Sequence, residues 1–209
     1  MKIERIINGK WVENCYIVSS NTSAVIVDPG GNTELIKKYV EDHSLQVVAI
    51  INTHAHFDHI VAVAELANFY NCPFHLHSGD ARLLRSANLY MALFLGEEPI
   101  TVPKVDIWLD KTTLPLVLND LSIEVFHTPG HTDGSVCFLI GEHLFTGDTL
   151  MKGELGRIDL PGGNKEKLVN SLHTLSKLPG NLVIYPGHGE TSSLAEEYSS
   201  NEPLLNLIR

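Results

Sequence analysis

A chain of 209 residues that is 44% hydrophobic is long enough to bury a substantial core, and it reads as a single domain over residues 1–209. Its 15 Lys and Arg stand against 25 Asp and Glu, a formal net charge of -10, and no basic run is visible, so a nucleic-acid partner is not expected. Nothing approaches membrane-spanning length, and "MKIERIINGKWVENCYIV" lacks the unbroken apolar core of a signal peptide, so no membrane partner and a reduced, cytoplasmic setting are expected.

In chain order, "KIERII", "CYIVSS" and "SAVIVDPGG" are rich in Ile and Val and predict consecutive strands, the last ended by the Asp28-Pro29-Gly30-Gly31 turn. Thr33 is placed to cap a helix running to about His43. "LQVVAIINT" has the continuous apolar character of a strand buried on both faces, and Ile60 to Asn71 returns to a helical pattern. "PFHLH" predicts a short strand, Ser78 to Leu95 a helical region, and "EEPITVPKVD" a proline-punctuated connection. "LSIEVFHTPG", "SVCFLIG" and "HLFTGDTL" predict strands, Lys165 to Lys177 a helix, and "NLVIYPGHG" a last buried strand. "SSLAEEYSSNEPLL" is expected to form one terminal helix. Cys15, Cys72 and Cys137 are an odd number at wide spacing, each in or beside an apolar stretch, and read as buried thiols.

"NTHAHFDHI" places His54, His56, Asp58 and His59 within six residues, in the connection between a strand and a helix. Three further strand ends carry the same residue types: "TPGHTDG" with His131, "FTGDTL" with Asp148 and "YPGHGE" with His188. A lone strand-end histidine is ordinarily a hydrogen-bonded loop residue. Four such ends exceed what loop composition supplies, because a rigid sheet holds side chains while its loops leave coordination positions open. His75 and His77 also form a His-x-His pair, but at strand spacing and with no acidic companion, so a structural role is expected for them. His127 belongs with the strand end, and His43, His143 and His173 have no constellation and default to solvent.

With these residues in place, the sequence resembles the metallo-β-lactamase superfamily, whose His-x-His-x-Asp-His motif is matched by His54, His56, Asp58 and His59, with the later His, Asp and His in order. The likeness runs from about Val25 to Asn201 and includes "VDPGG", "TPGHTDGS", "GDTL", "GRIDLPGG" and "GHGETS". Within the superfamily the chain looks most like the compact glyoxalase II-like hydrolases. The resemblance implies an α/β fold, an αββα sandwich of two mixed β-sheets with helices on the outer faces. It also implies two divalent ions, one held by His54, His56 and His131, the other by Asp58, His59 and His188, with Asp148 between them. Imidazole and carboxylate donors suit zinc, and without thiolates they also suit iron or manganese. Asp28 resembles a residue that supports the ligands from behind; as a residue in a tight turn it has an equally ordinary reading.

The implied chemistry is hydrolysis of a small-molecule thioester such as S-lactoylglutathione, with Asp58 orienting the nucleophile. Arg157, nine positions after Asp148, is placed to clamp a substrate carboxylate or phosphate, or else to pair with Glu154 or Asp159. Two departures loosen the glutathione assignment: 21 residues follow His188, where full-length glyoxalase II enzymes carry a helical domain, and Glu190 stands where they carry a tyrosine. A pantetheine-linked acyl carrier protein is therefore a second thioester source. A mononuclear-iron persulfide dioxygenase using His54, His131 and Asp148 is the rival reaction class, against which Phe57 counts. A protein with purely structural metal is the non-enzyme alternative.

Overall fold

The computed structural model of the chain describes residues 1–96, 98–111 and 115–208. In the first sheet, β1 (Lys2–Asn8), β2 (Glu13–Ser20) and β3 (Ser23–Val27) form an antiparallel meander. Then α1 (Thr33–Asp42) crosses over to β4 (Gln46–Ile51), parallel to β3. The short α2 (Phe57–Ile60) and α3 (Val63–Tyr70) lead to β5 (Phe74–Leu76). From there α4 (Ala81–Arg85) and α5 (Ala87–Leu95) lead to the parallel edge strand β6 (Ile107–Trp108).

The second sheet begins with β7 (Leu116–Leu118), β8 (Leu121–His127), β9 (Val136–Ile140) and β10 (His143–Gly147), all antiparallel in succession. Next, α6 (Lys165–Leu175) crosses to β11 (Val183–Pro186), parallel to β10, and β12 (Ser192–Ser193) closes the edge before α7 (Leu194–Ser200) and α8 (Glu202–Leu207). Among the described residues both sheets have six strands and both are mixed.

Side-chain alternation decides how the layers stack. From β2, Cys15 and Ile17 face α1 and α3, while Tyr16 and Val18 face the other sheet. Ile36, Val40, Val63 and Leu66 cover the first sheet, and Leu168, Leu172 and Leu175 of α6 cover the second. Between the sheets, Val25, Val27 and Ile51 meet Ile123, Val136 and Phe138. Opposite Ala24 and Val25 the β4 register slips by one residue. That bulge puts both Val48 and Ala49 on the inter-sheet side, so Ile50 returns to the helix side. A fully buried Val, Leu or Ile among them contributes about 1.5–3 kcal/mol by leaving water, and truncating Ile50, at 0% exposure, would cost about 2–5 kcal/mol.

Several expected elements divide or shift. Thr33 is the first helical residue of α1 and not its cap; Asn32 precedes it in a left-handed conformation. The helix expected from Ile60 starts at Phe57, breaks and restarts at Val63, so Asp58 and His59 lie on a helical turn and not in an open loop. The region Ser78 to Leu95 is a 3-10 turn, α4 and α5, hinged at Ser86. The terminal segment is two helices because Asn201 caps α8 through Leu204 N–H, with Pro203 in the first turn. Cys15 and Cys137 are buried, while Cys72 is half-buried. Among the described residues no helix is long and apolar enough to cross a membrane.

Candidate metal centre

Strands β8, β10 and β11 run in one direction, and their carboxyl ends deliver His131, Asp148 and His188 to one edge of the second sheet. The carboxyl end of β4 delivers residues 52–59 from the facing sheet. The two edges are tied together by the start of β2. Asn14 N–H donates to Gly187 O at 2.7 Å, its side chain donates to Pro186 O and Gly189 O, and the Tyr16 hydroxyl donates to Pro186 O at 2.7 Å.

Two groups of donors converge there. His54 Nε2, His56 Nδ1 and His131 Nε2 stand 3.1, 3.3 and 2.8 Å apart. Three nitrogens on one tetrahedral zinc at about 2.0–2.1 Å would be separated by roughly 3.3 Å, so the triangle fits one ion. Asp58, His59 and His188 form the second group, with His188 Nε2 3.3 Å from Asp58 Oδ2. Asp148 lies between them: Oδ2 is 3.4 Å from His131 Nε2 and 3.8 Å from His188 Nε2, while Oδ1 is 3.5 Å from His59 Nε2. His59 Nε2 and Asp148 Oδ1 are buried with no hydrogen-bond partner, an arrangement that is costly without a ligand. Gly187 is required at this point, since a Cβ there would sit 2.3 Å from Asp148 Oδ1 and 2.7 Å from a His59 ring carbon.

The tautomers of His54 and His131 are set from behind. The Thr53 hydroxyl donates to Asp28 Oδ2 at 2.6 Å and so accepts from His54 Nδ1 at 3.0 Å, which leaves the His54 Nε2 lone pair facing the cluster. Asp28 also accepts from Thr53 N–H and stands 3.2 Å from His59 Nδ1. His131 Nδ1 donates to Arg157 O at 2.7 Å, freeing its Nε2 in the same sense.

Electrostatically, burial and then the neighbouring histidines drive His54 well below the usual imidazole range and His56 down to about 3. Both are therefore neutral donors at neutral pH. For His59, burial acts downward but the carboxylates of Asp148, Asp58 and Asp28 outweigh it and raise the group. Burial pushes Asp58 upward, yet His59 and His188 hold it well below the carboxylate range.

Two supporting carboxylates escape sequence reading. Asp80 is buried in the 3-10 turn and accepts from Ala55 N–H at 2.8 Å, Thr132 Oγ1 at 2.9 Å and Gly134 N–H at 2.7 Å. It fastens the residue between His54 and His56 to the loop of His131. Glu13, also buried, takes a hydrogen bond from Asn8 at 2.7 Å and lies 3.9 Å from His59 Nδ1. Neither has a motif; the only sequence signal is an acid flanked by apolar elements.

Arg157 lines the mouth of the centre, a cleft of about 340 Å³ that Phe57, Glu154 and Met151 share. Its guanidinium is exposed and engages Asp159 through two hydrogen bonds of 2.9 and 2.8 Å. Of the other histidines, His43 and His173 are exposed and His143 is half-buried against Tyr185. His75 is fully buried with neither ring nitrogen hydrogen-bonded. His77 stacks on His127, with ring centres 4.0 Å apart.

Residues 8–188 match the pattern of the Metallo-beta-lactamase superfamily. A probable metallo-hydrolase of Bacillus subtilis, YqgX, is 34% identical, covering 99% of this chain and 98% of its own. The hydroxyacylglutathione hydrolase GloC of Haemophilus influenzae is 31% identical over 99% of both. Among solved structures, the B3 metallo-beta-lactamase BLEG-1 superposes with a TM-score of 0.91 at 33% identity over 97% of this chain and 99% of its own. TTHA1623 in a di-iron-bound form superposes at 0.86 and 34% over 96% of this chain and 100% of its own.

Proposed function

The chain belongs to the metallo-beta-lactamase superfamily, and from that premise we propose that it is a two-metal hydrolase of thioesters, S-lactoylglutathione and related hydroxyacylglutathiones foremost. The observation that carries the reading is the pair of converging donor groups with Asp148 between them. His54, His56 and His131 would hold one divalent ion and Asp58, His59 and His188 the other, with Asp148 shared. Zinc suits this set, and the di-iron neighbour supports iron on a similar one. Bound there, the ions supply Lewis acidity and a water of lowered pKa.

The chain's own groups do the rest. Among the described residues no cysteine or serine lines the mouth, which supports water as the nucleophile without an acyl-enzyme. Asp58, ionised and partly open to the mouth, orients that water. The departing thiol, with a pKa near 8.5, leaves as thiolate without a dedicated general acid. Arg157 is proposed to exchange Asp159 for a substrate anion, since solvent screens an ion pair this exposed. Likeness to GloC supports a glutathione carrier. Glu190 turns away to pair with Arg5 at 3.2 Å and adds nothing to glutathione recognition, which favours pantetheine or an acyl carrier protein as the second carrier.

The test is a side-by-side assay of S-lactoylglutathione, short acyl-pantetheine thioesters, a β-lactam and a phosphodiester, with labelled solvent oxygen. Thioester turnover with label in the acid is expected. Inert thioesters beside rapid β-lactam or phosphodiester turnover, or an acyl group trapped on the protein, would overturn the proposal.

A further inference from the structure

Beside the mouth of the metal centre lie two further cavities, and Arg157 lines neither of them. His56, Phe57 and Leu160 line both the mouth and a neighbouring narrow neck, whose other walls include Leu83, Ala87 and Pro161. The neck encloses about 30 Å³. A single water needs roughly 10–15 Å³ by that measure, so the neck has room for about two or three heavy atoms in file. Leu83, Tyr90 and Pro161 also border a wider chamber of about 210 Å³, and Arg82 stands on it.

Arg82 is exposed, and its guanidinium has no hydrogen-bond or ion-pair partner among the described residues. The two carboxylates on the same chamber are already committed. Asp80 is spent on Ala55, Thr132 and Gly134, and Asp133 pairs with Lys167 at 2.6 Å. Arg82 therefore brings a guanidinium with no ion-pair partner among the described residues to a chamber that shares Leu83, Tyr90 and Pro161 with the apolar neck, in a chain of net charge -10.

Resting on the thioester reading above, we propose that the slender acyl half of the substrate lies in this neck and that Arg82 receives a carboxylate at its far end. The preferred substrates are then ω-carboxyacyl thioesters with a spacer of two or three methylenes. Size assigns the halves: the bulky thiol carrier suits the mouth of about 340 Å³, and the neck of about 30 Å³ suits a short, slender chain. Polarity assigns the spacer, because the neck offers no partner for a charge, which would be costly to strand there. The fork at the end matches a carboxylate in two parallel hydrogen bonds.

The experiment uses the metal-replete full chain and N-acetylcysteamine thioesters of succinic and glutaric acid, each matched with the thioester of its neutral monoamide. Wild type is expected to favour the carboxylate over the amide by about tenfold or more in kcat/KM. That ratio should collapse toward one in Arg82→Gln, recover in part in Arg82→Lys, and shrink at high salt. A wild-type ratio of one, or a ratio unchanged in Arg82→Gln, overturns the inference while leaving thioester hydrolysis intact. Calorimetric binding of the N-glutaryl amide of cysteamine, which cannot be hydrolysed as a thioester, separates the two failures. Inert thioesters with amide binding that weakens about tenfold in Arg82→Gln fault the hydrolase reading alone, whereas no amide binding removes the neck as a binding site.

Discussion

Two His-x-His pairs sit on neighbouring strands of one sheet, and they end in opposite circumstances. His54 and His56 follow β4, where the chain has left the strand and bends, and their nitrogens close to 3.1 Å. His75 lies within β5 and His77 just beyond it. In extended chain, residues i and i+2 are separated by roughly 6.4–6.8 Å, too far for two imidazoles to share one ion without a bend. The first pair is fastened from behind by Thr53, Asp28 and Asp80; the second has one buried ring with no hydrogen bond and one stacked on His127. Identical spacing thus yields a donor pair or two separate structural rings according to where the strand stops.

The largest test of that contrast removes the rings. His54→Ala or His131→Ala is expected to release metal and lower hydrolysis by about 10³-fold or more, as for loss of a group that stabilises developing charge. His59→Ala and His188→Ala should each lose one ion of two. His75→Leu should keep full metal content. Elemental analysis of each purified variant decides, and metal lost from His75→Leu would place the second pair in the site.

Acid is the next lever. Burial pushes His75 down to about 4 from an ordinary value near 6.5, so the unfolded chain takes up a proton in that window and the folded chain does not. Its folded pKa being depressed, stability is full above about pH 6.5 and falls as pH drops, by up to about 3 kcal/mol from this group. Denaturant unfolding of metal-free protein at pH 7 and pH 4.5 should show a smaller acid loss in His75→Leu than in wild type. Equal losses would mean the ring finds a proton acceptor when the chain is folded.

How much of this was legible follows the same division. The strand ends, the convergence of the motif histidines and aspartates and the two-layer sheet arrangement rest on apolar runs, turn residues and a spaced motif, which are local signals. The breaks at Ser86 and Asn201 and the edge strand Ile107–Trp108 were not, because two-residue strands and helix hinges are decided by tertiary contacts. Asp80 and Glu13 were invisible for another reason: each works through backbone amides or a ring brought from far along the chain. Arg157 lines the mouth, and only the structure shows that its carbonyl, not its guanidinium, meets a predicted ligand.

Asp80 gives a sharper, smaller test. Asp80→Ala leaves the Ala55 and Gly134 amides and the Thr132 hydroxyl without their acceptor and should weaken metal held by His54, His56 and His131 by about 10–100-fold. Competition with a chelator measures it. Unchanged affinity would mean that Thr53 and Asp28 alone hold the first pair in shape.

The smallest effect is expected at His77, and it is the one that isolates the second pair. Its Nδ1 accepts from Gly79 N–H at 3.1 Å, capping the 3-10 turn that carries Asp80, and burial and then the adjacent His127 hold it below the ordinary imidazole value. A cap of this kind is worth about 1 kcal/mol, and Asp80 has three hydrogen bonds of its own to keep it in place. His77→Ala should therefore lower unfolding free energy by about 1 kcal/mol, with metal content unchanged and hydrolysis within about twofold. His77→Asn, which restores an acceptor for Gly79 N–H, should recover most of the stability. If His77→Ala instead released metal and His77→Asn restored it, the turn would be transmitting its cap to Asp80, and the second His-x-His pair would act on the site from a distance.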